Sequence, residues 1–442
     1  MDRGGPVIKV GILNLGCKVN QFEGESIGHL LELEGFRVVR PEEADLVIIN
    51  ACVVTHRAEA DARKALHRFK RLGKRVLVAG CWPQLSPDTP LSQGADGVLG
   101  NQEKARIGEI VRRFLSGERI KEVGPLECSH YPKMLFPLPR ERTRAFLKIQ
   151  DGCDSNCTYC VVPRVRGRPR SLDPEAIFCA MELYSSAGVK EVVLCGIHLG
   201  KWGQDLGAGM DLLWLLQELE QKETPPRIRL SSIEPHEVSD GLIELLRTSE
   251  KLCPHLHLPI QSASSRILEM MGRPYRSGDL WRLIERLKEG VPGIALGADL
   301  IAGFPGEGEE EFWETVRFVQ SQPFSYLHVF PFSRRPGTPA SSFPGQVRDS
   351  EKVRRVRILR ELGQRKRIDF YSGFIGRKLM VLSEGQKDGE FRGLSRNYIR
   401  CAFNEPVPAG EEFEAMGIGL KGERLLIVPS RAPTTRSTSN TA

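Results

Sequence analysis

The stretch Cys153-Asp-Ser-Asn-Cys157-Thr-Tyr-Cys160 sets three thiols at the spacing CxxxCxxC, directly after the apolar run AFLKI and on a loop that carries Gly152. Cubane iron-sulfur clusters are usually held by four thiolates, so a local set of three leaves one iron open to an exogenous ligand. The amino and carboxylate groups of S-adenosylmethionine can chelate such an iron, and an electron from the cluster then cleaves the sulfonium to give a 5'-deoxyadenosyl radical. A zinc site with a distant fourth ligand, such as Cys128 or His130, is the competing reading of the same spacing. The downstream sequence separates the two. The apolar runs KEVVLCG, RIRLSS, HLHLPI, IALGADLI and FSYLHVF alternate with helical stretches such as 174–187 and 309–321. Six strand–helix units of this kind predict a partial β/α barrel whose working face lies at the strand carboxyl ends, and not a zinc ribbon.

Upstream, residues 1–125 alternate in the same way: KVGILNLG, an amphipathic stretch over 21–35, DLVIIN, a basic helix over 58–72, and RVLVAG. Apolar strands separated by helices predict a doubly wound parallel sheet covered on both faces. Cys17, Cys52 and Cys81 each fall just past the carboxyl end of one of these strands, where open α/β sheets bind ligands. One such cysteine is most simply a buried small hydrophobe. Three equivalent placements point to a second metal site.

Residues 126–142, with Pro132, Pro137 and Pro139, keep no period and read as a linker. The barrel is expected over 143–372, ending in the helix EKVRRVRILRELGQRKR. Val353, Val356, Leu359 and Leu362 form its apolar stripe, and residues 351–367 hold eight Lys plus Arg against two Glu. Short alternating strands with Gly-rich turns over 373–430 predict a small β-barrel, and 431–442 a mobile tail. The fold class is therefore α/β with an appended β-barrel.

With 40% hydrophobic and 27% charged residues over 442 positions, the composition is that of a folded multidomain protein. No apolar run approaches the ~20 residues that cross a bilayer, so no membrane partner and a cytoplasmic location are expected. Eleven cysteines, an odd number, favour metal or redox chemistry over a disulfide framework. The net charge of +7 is too diffuse to identify a polyanionic partner. The segment 373–429 is itself neutral, with eight basic and eight acidic residues, so any RNA footprint there must be local. In RGLSRNYIRCAF, period two sets Arg396, Tyr398 and Arg400 on one face, where they would pair phosphates and stack a base.

The motif with Tyr159 before its last cysteine, the strands after it and the separated Cys17, Cys52 and Cys81 resemble the radical S-adenosylmethionine methylthiotransferases. LGCKVNQFEGE, NACVVTHRAEADARK and AGCWPQ are most similar to the branch that modifies threonylcarbamoyladenosine in tRNA. The resemblance implies an N-terminal cluster domain, a radical barrel and a C-terminal TRAM β-barrel. It implies two [4Fe-4S] clusters, the second held by Cys17, Cys52 and Cys81 for sulfur insertion, with S-adenosyl-L-methionine as cofactor. Tyr159, Gly196, Glu234, Gln261, Asp299 and Gly303 match its cofactor-binding segments. The implied reaction puts a methylthio group on C2 of the modified adenosine beside the anticodon. C2 is an unactivated C–H position that acid–base catalysis alone does not open. The implied partners are tRNA, a low-potential electron donor and a sulfur donor. Ala51, Ala263 and Ser264 depart from the family's usual residues. Rival readings are a methylthiotransferase acting on isopentenyladenosine or on a ribosomal-protein aspartate, and, in another class, a non-catalytic two-cluster electron carrier.

Overall fold

The computed structural model describes residues 7–126, 131–132, 134–139, 143–207 and 209–430. Cys128, His130 and the segment 431–442 lie outside them. The first layer is a six-stranded, wholly parallel sheet of β1 (Lys9–Asn14), β2 (Arg37–Val39), β3 (Leu46–Ala51), β4 (Arg75–Gly80), β5 (Gly97–Leu99) and β6 (Ile120–Glu122), in the order β2-β1-β3-β4-β5-β6. β3 is buried along its whole length, as a central parallel strand covered on both faces must be. Its alternate side chains feed two cores. Val47 and Ile49 pack with Leu66 and Phe69 of the helix His56–Arg71, while Leu46 and Ile48 pack with Ile27 and Leu31 of the helix Lys18–Leu33.

The second body is the partial barrel. Its strands are β7 (Arg144–Asp151), β8 (Arg170–Ser171), β9 (Glu191–Gly196), β10 (Arg227–Leu230), β11 (His255–Gln261), β12 (Ala295–Ala302) and β13 (Phe324–Pro331). One sheet runs β10-β9-β7-β8 and the other β11-β12-β13, with single bridges Ile228–Leu252 and Ser232–His257 joining them. All pairings are parallel except the two-residue β8 against β7, so six parallel strands form the expected open barrel. Val19 and Phe22, from the helix of the first sheet, belong to the barrel's own apolar core.

The third body is a closed five-stranded barrel, β14 (Lys378–Lys387), β15 (Glu390–Ser395), β16 (Arg400–Phe403), β17 (Glu412–Lys421) and β18 (Arg424–Pro429), in the order β14-β15-β16-β18-β17. Here one sequence expectation fails. RGLSRNYIRCAF is not one strand but two, and Arg396–Ile399 form the connection between them, with Tyr398 at φ 63°. Arg396, Tyr398 and Arg400 therefore do not share a strand face. Arg396 is turned inward, pairing with Glu412 at 3.0 Å and donating to the carbonyls of Pro226 (3.1 Å) and Glu250. Tyr398 lies against His255, with ring centroids 4.3 Å apart, against Tyr326 and beneath the Arg229 guanidinium, at the amino-terminal end of the radical-barrel strands. Arg400 is exposed, whereas Arg396 and Tyr398 are half-buried.

Glu191 at the head of β9 anchors this junction. It pairs with Arg227 (2.8 Å) and Arg229 (2.7 Å), and those guanidiniums reach on to the carbonyls of Leu394 (3.0 Å) and Arg396 (2.8 Å). The basic helix runs Asp349–Ser372. Leu359 and Leu362 are buried, whereas Val353 is 68% exposed. Its charge is also less available than a count suggests, because Arg355 is buried against Glu307 at 2.8 Å and Arg354 is held by Glu351 and Glu309.

Candidate active site

Two cysteine sets lie at the carboxyl ends of the two parallel sheets. The first follows β7. Gly152 turns the chain at φ 80°, a position where a Cβ would stand 2.0 Å from the Arg168 carbonyl oxygen. The loop is then pinned: Cys153 N donates to Gly167 O (2.9 Å), Thr158 N to Met271 O (3.0 Å) and Cys160 N to Cys157 O (3.0 Å). Gly272 lets this loop settle, since a Cβ there would meet Asn156 O at 2.7 Å. Cys153, Cys157 and Cys160 are half-buried and lie close together, Cys153 raising the Cys157 thiol and both of these raising Cys160.

Each of these sulfurs has its own donor. Ser155 N donates to Cys153 at 3.4 Å, and His198 Nδ1 lies 3.3 Å from the same sulfur. Arg273 Nη1 reaches Cys157 at 3.2 Å, and Val162 N reaches Cys160 at 3.5 Å. Burial works against ionisation of Cys153, but His198 and Ser155 outweigh it and hold the thiol below its ordinary value. Cys160, with weaker partners, is pushed by burial up to about 12. His198 is itself raised to about 10: burial opposes this, and Cys153 together with Glu237, 2.8 Å from Nε2, overcomes it.

The second set is assembled by the first sheet. Cys17 caps the helix Lys18–Leu33, Cys52 follows β3, and Cys81 opens the short helix Cys81–Leu85 after β4. Gly16 is a cradle for it: a Cβ there would stand 2.6 Å from the Cys52 Cβ. Burial, then Cys81 and Cys17, push Cys52 up to about 12, which places the three sulfurs close together. Cys17 also acts on Cys195 of β9, so this set faces the second body near the strand that precedes His198.

Beneath both sets runs a buried ion network. Glu23 binds Lys104 (2.5 Å), Lys148 (2.8 Å) and Arg166, while Asp151 binds Lys148 (2.7 Å), Arg166 (3.4 Å) and Arg170 (3.6 Å). Asn101 joins Lys104 (2.8 Å) to the Cys81 sulfur (3.5 Å). Burial disfavours the Glu23 carboxylate, but Arg166, Lys104 and Lys148 more than offset it and hold its pKa well below the usual range. Among the described residues, Lys104, Lys148 and Arg166 meet Glu23 and Asp151 here, a buried positive balance that is costly unless an anion completes it. Cys81 in turn favours the charged forms of Arg166 and Lys104. A cluster bound by thiolates, with its net negative charge, fits that environment.

Of the other sequence candidates, Glu234 and Tyr159 sit against the first set. Glu234 is bound by Arg273, the donor to Cys157; burial raises its pKa and Arg273 partly offsets the rise. Tyr159 packs edge-on to Phe304, with centroids 6.5 Å apart. Gly196 lies where a Cβ would touch Gln150 at 2.9 Å, and Gly303 turns at φ 77° with its N–H donating to Glu307. Gln261 holds φ 65°, a left-handed conformation that only surrounding structure maintains. Asp299 receives His257 Nε2 at 2.8 Å and His328 Nδ1 at 3.3 Å, and these imidazoles hold it below the usual carboxylate range despite burial. Sequence reading missed His198, Arg273, Glu23 and Lys104. Asn20 and Glu23, polar residues one turn apart on the buried side of an amphipathic helix, were the available signal.

Residues 147–319 match the Radical SAM superfamily and residues 9–100 match a family described as Uncharacterized protein family UPF0004. The chain is 37% identical to the threonylcarbamoyladenosine tRNA methylthiotransferase MtaB of Bacillus subtilis, covering 89% of this chain and 90% of the relative. It is 37% identical to a tRNA-2-methylthio-N(6)-dimethylallyladenosine synthase of Thermotoga petrophila (88% and 89% covered) and 34% identical to the ribosomal protein uS12 methylthiotransferase RimO of Desulforudis audaxviator (88% of each). Among solved structures, the radical S-adenosylmethionine methyltransferase TsrM of Kitasatospora setae shares the fold, with TM-score 0.56, 16% identity and coverage of 76% of this chain and 77% of that one. With both cysteine sets in place and relatives matched along nearly their whole length, the chain belongs to the radical S-adenosylmethionine methylthiotransferases.

Proposed function

We propose that the protein is a tRNA methylthiotransferase that converts N6-threonylcarbamoyladenosine next to the anticodon into its 2-methylthio derivative. Two three-cysteine sets at facing strand ends carry this reading, and relatives named for that substrate support it. Cys153, Cys157 and Cys160 would hold one [4Fe-4S] cluster and Cys17, Cys52 and Cys81 the other. When bound, the clusters and S-adenosylmethionine supply one-electron cleavage of the sulfonium, hydrogen abstraction at an unactivated carbon and a source of sulfur. The chain's own groups do the positioning. Arg273, braced by Glu234 and Tyr275, steadies the Cys157 sulfur, and His198, braced by Glu237, steadies Cys153. Tyr398 closes the far end of the barrel against water. Tyr159, Gly196, Gln261, Asp299 and Gly303 would line the cofactor's surroundings, the bare Cα of Gly196 making room for Gln150 and that of Gly303 for Lys352. The third body, 373–430, is read as a TRAM domain. A low-potential electron donor and a sulfur donor complete the system, in the cytoplasm; among the described residues no helix is long and apolar enough to cross a membrane.

The relatives acting on dimethylallyladenosine and on a ribosomal protein keep a second reading open, because their identities are similar. Nucleoside mass analysis of tRNA from a strain lacking the gene, with and without the gene restored, decides between them. Loss and recovery of 2-methylthio-N6-threonylcarbamoyladenosine is the expected result. Loss of the dimethylallyl derivative instead, or an unchanged tRNA profile, overturns it.

A further inference from the structure

A groove of about 870 Å³ opens at the seam between the first and second bodies, bordered by the start of the helix His56–Arg71, the end of β13 and the outer face of the helix Asp349–Ser372. Its surface is mainly apolar. Phe330 (41% exposed) and Val353 (68% exposed) stand open to solvent on it, although neither position is needed to fill a core. Arg57, Lys352, Arg357 and Arg360 rim these apolar groups against only Asp349 and Glu361. Lys352 is paired with Asp349 at 3.1 Å, and Arg357, 71% exposed, reaches Glu361 only at 4.0 Å. The rim is therefore net positive.

The groove is tied to both cysteine sets. One wall begins at Thr55, three residues after Cys52, and is fastened to the other by His56 N donating to Ser333 Oγ (2.9 Å) and by the Arg335–Glu59 pair (2.7 Å). On its floor Phe332 packs on Phe304 (centroids 5.4 Å), which packs on Tyr159 inside the CxxxCxxC loop. Two aromatic rings thus separate the groove from the radical site.

An exposed aromatic and an exposed β-branched residue ringed by arginines suit a ligand with planar bases and phosphates, since every base has a face to stack and a phosphate to pair. We infer that this groove seats single-stranded nucleotides of the anticodon loop that flank the modified adenosine, with Phe330 stacking a base and Arg357 and Arg360 pairing phosphates. The inference rests on the tRNA reading above and gives the RNA a different seat from the Arg396–Arg400 segment.

The test measures binding of a labelled anticodon stem-loop RNA to the full-length, anaerobically reconstituted protein across a salt series. Phe330→Ala should weaken binding about fivefold or more, the low end of what a lost base stack costs. Arg357→Ala with Arg360→Ala should lower the salt slope by about 1.4, as two single-strand phosphate contacts require. Val353→Asp, which disturbs no buried side chain, should weaken binding as well. Iron content and RNA-independent formation of 5'-deoxyadenosine should stay at the wild-type level in all three. Unchanged affinity and slope in variants of a protein that binds the RNA overturn the groove while leaving the tRNA reading standing. A wild-type protein that ignores the RNA but binds a ribosomal-protein loop peptide overturns both.

Discussion

At Arg273, one side chain serves three groups: it donates to the Cys157 sulfur, binds Glu234 and packs its guanidinium on Tyr275. Donors to cluster sulfurs raise a cluster's potential, so Arg273→Met should make the loop cluster harder to reduce, read as a more negative midpoint by potentiometric EPR. The cysteines themselves give a sharper division. Replacing Cys153, Cys157 or Cys160 by Ala should end 5'-deoxyadenosine formation. Cys17, Cys52 or Cys81→Ala should remove about half the iron and all thiolation while cofactor cleavage persists, which iron analysis and product chromatography would separate. Tyr398 belongs with packing and not with RNA. Losing its contacts with His255, Tyr326 and Arg229, Tyr398→Ala should destabilise the protein by about 2–3 kcal/mol in denaturant titration and leave RNA affinity unchanged.

At the scale of elements, β9 and β10 fasten the C-terminal barrel through Glu191. Burial opposes ionisation of that carboxyl, yet Arg229 and Arg227 overcome it and bring its pKa from 4.5 to about 2. The folded value lies below the unfolded one, so the contribution is complete above pH 4.5 and is lost as the pH falls towards 2. It amounts to roughly 3 kcal/mol. In Glu191→Gln that segment of the acid-stability curve should disappear, and stability at neutral pH should fall by about 3–5 kcal/mol because two arginines lose their buried carboxylate. The strands themselves were legible: LVIINA and RVLVAG can be little else than central parallel strands, and the cysteines after them follow from strand geometry. RGLSRNYIRCAF was misread because period two was carried straight through Asn397, a residue that favours turns and precedes the positive-φ Tyr398. Counting charges on the helix 349–372 could not distinguish Arg355, buried on Glu307, from Arg357, exposed on the rim. The two cysteine sets were readable as candidates because the first has a telling spacing and the second a repeated place just past strand ends. His198, Arg273 and Lys104 were not, because each meets its sulfur or its network only after strands far apart in sequence are laid side by side.

Over the whole molecule, the Glu23 network is the joint between the two cysteine-bearing bodies. Glu23→Gln should cost about 3–5 kcal/mol, the usual consequence of removing one partner from a buried ion cluster, and thermal unfolding with iron-loaded protein would measure it. The network also assigns an order to synthesis and a limit to inheritance. Glu23 and Lys104 both lie in the first body and neutralise each other as soon as that part of the chain has left the ribosome. Lys148 and Arg166 arrive later, and both pair with Asp151 of their own body and with Glu23 of the first, so the barrel completes these pairs against a first body already folded beside it. A gene that exchanged its first hundred codons for those of a distant relative would have to bring a glutamate to this place, or Lys148 and Arg166 would be left to share Asp151.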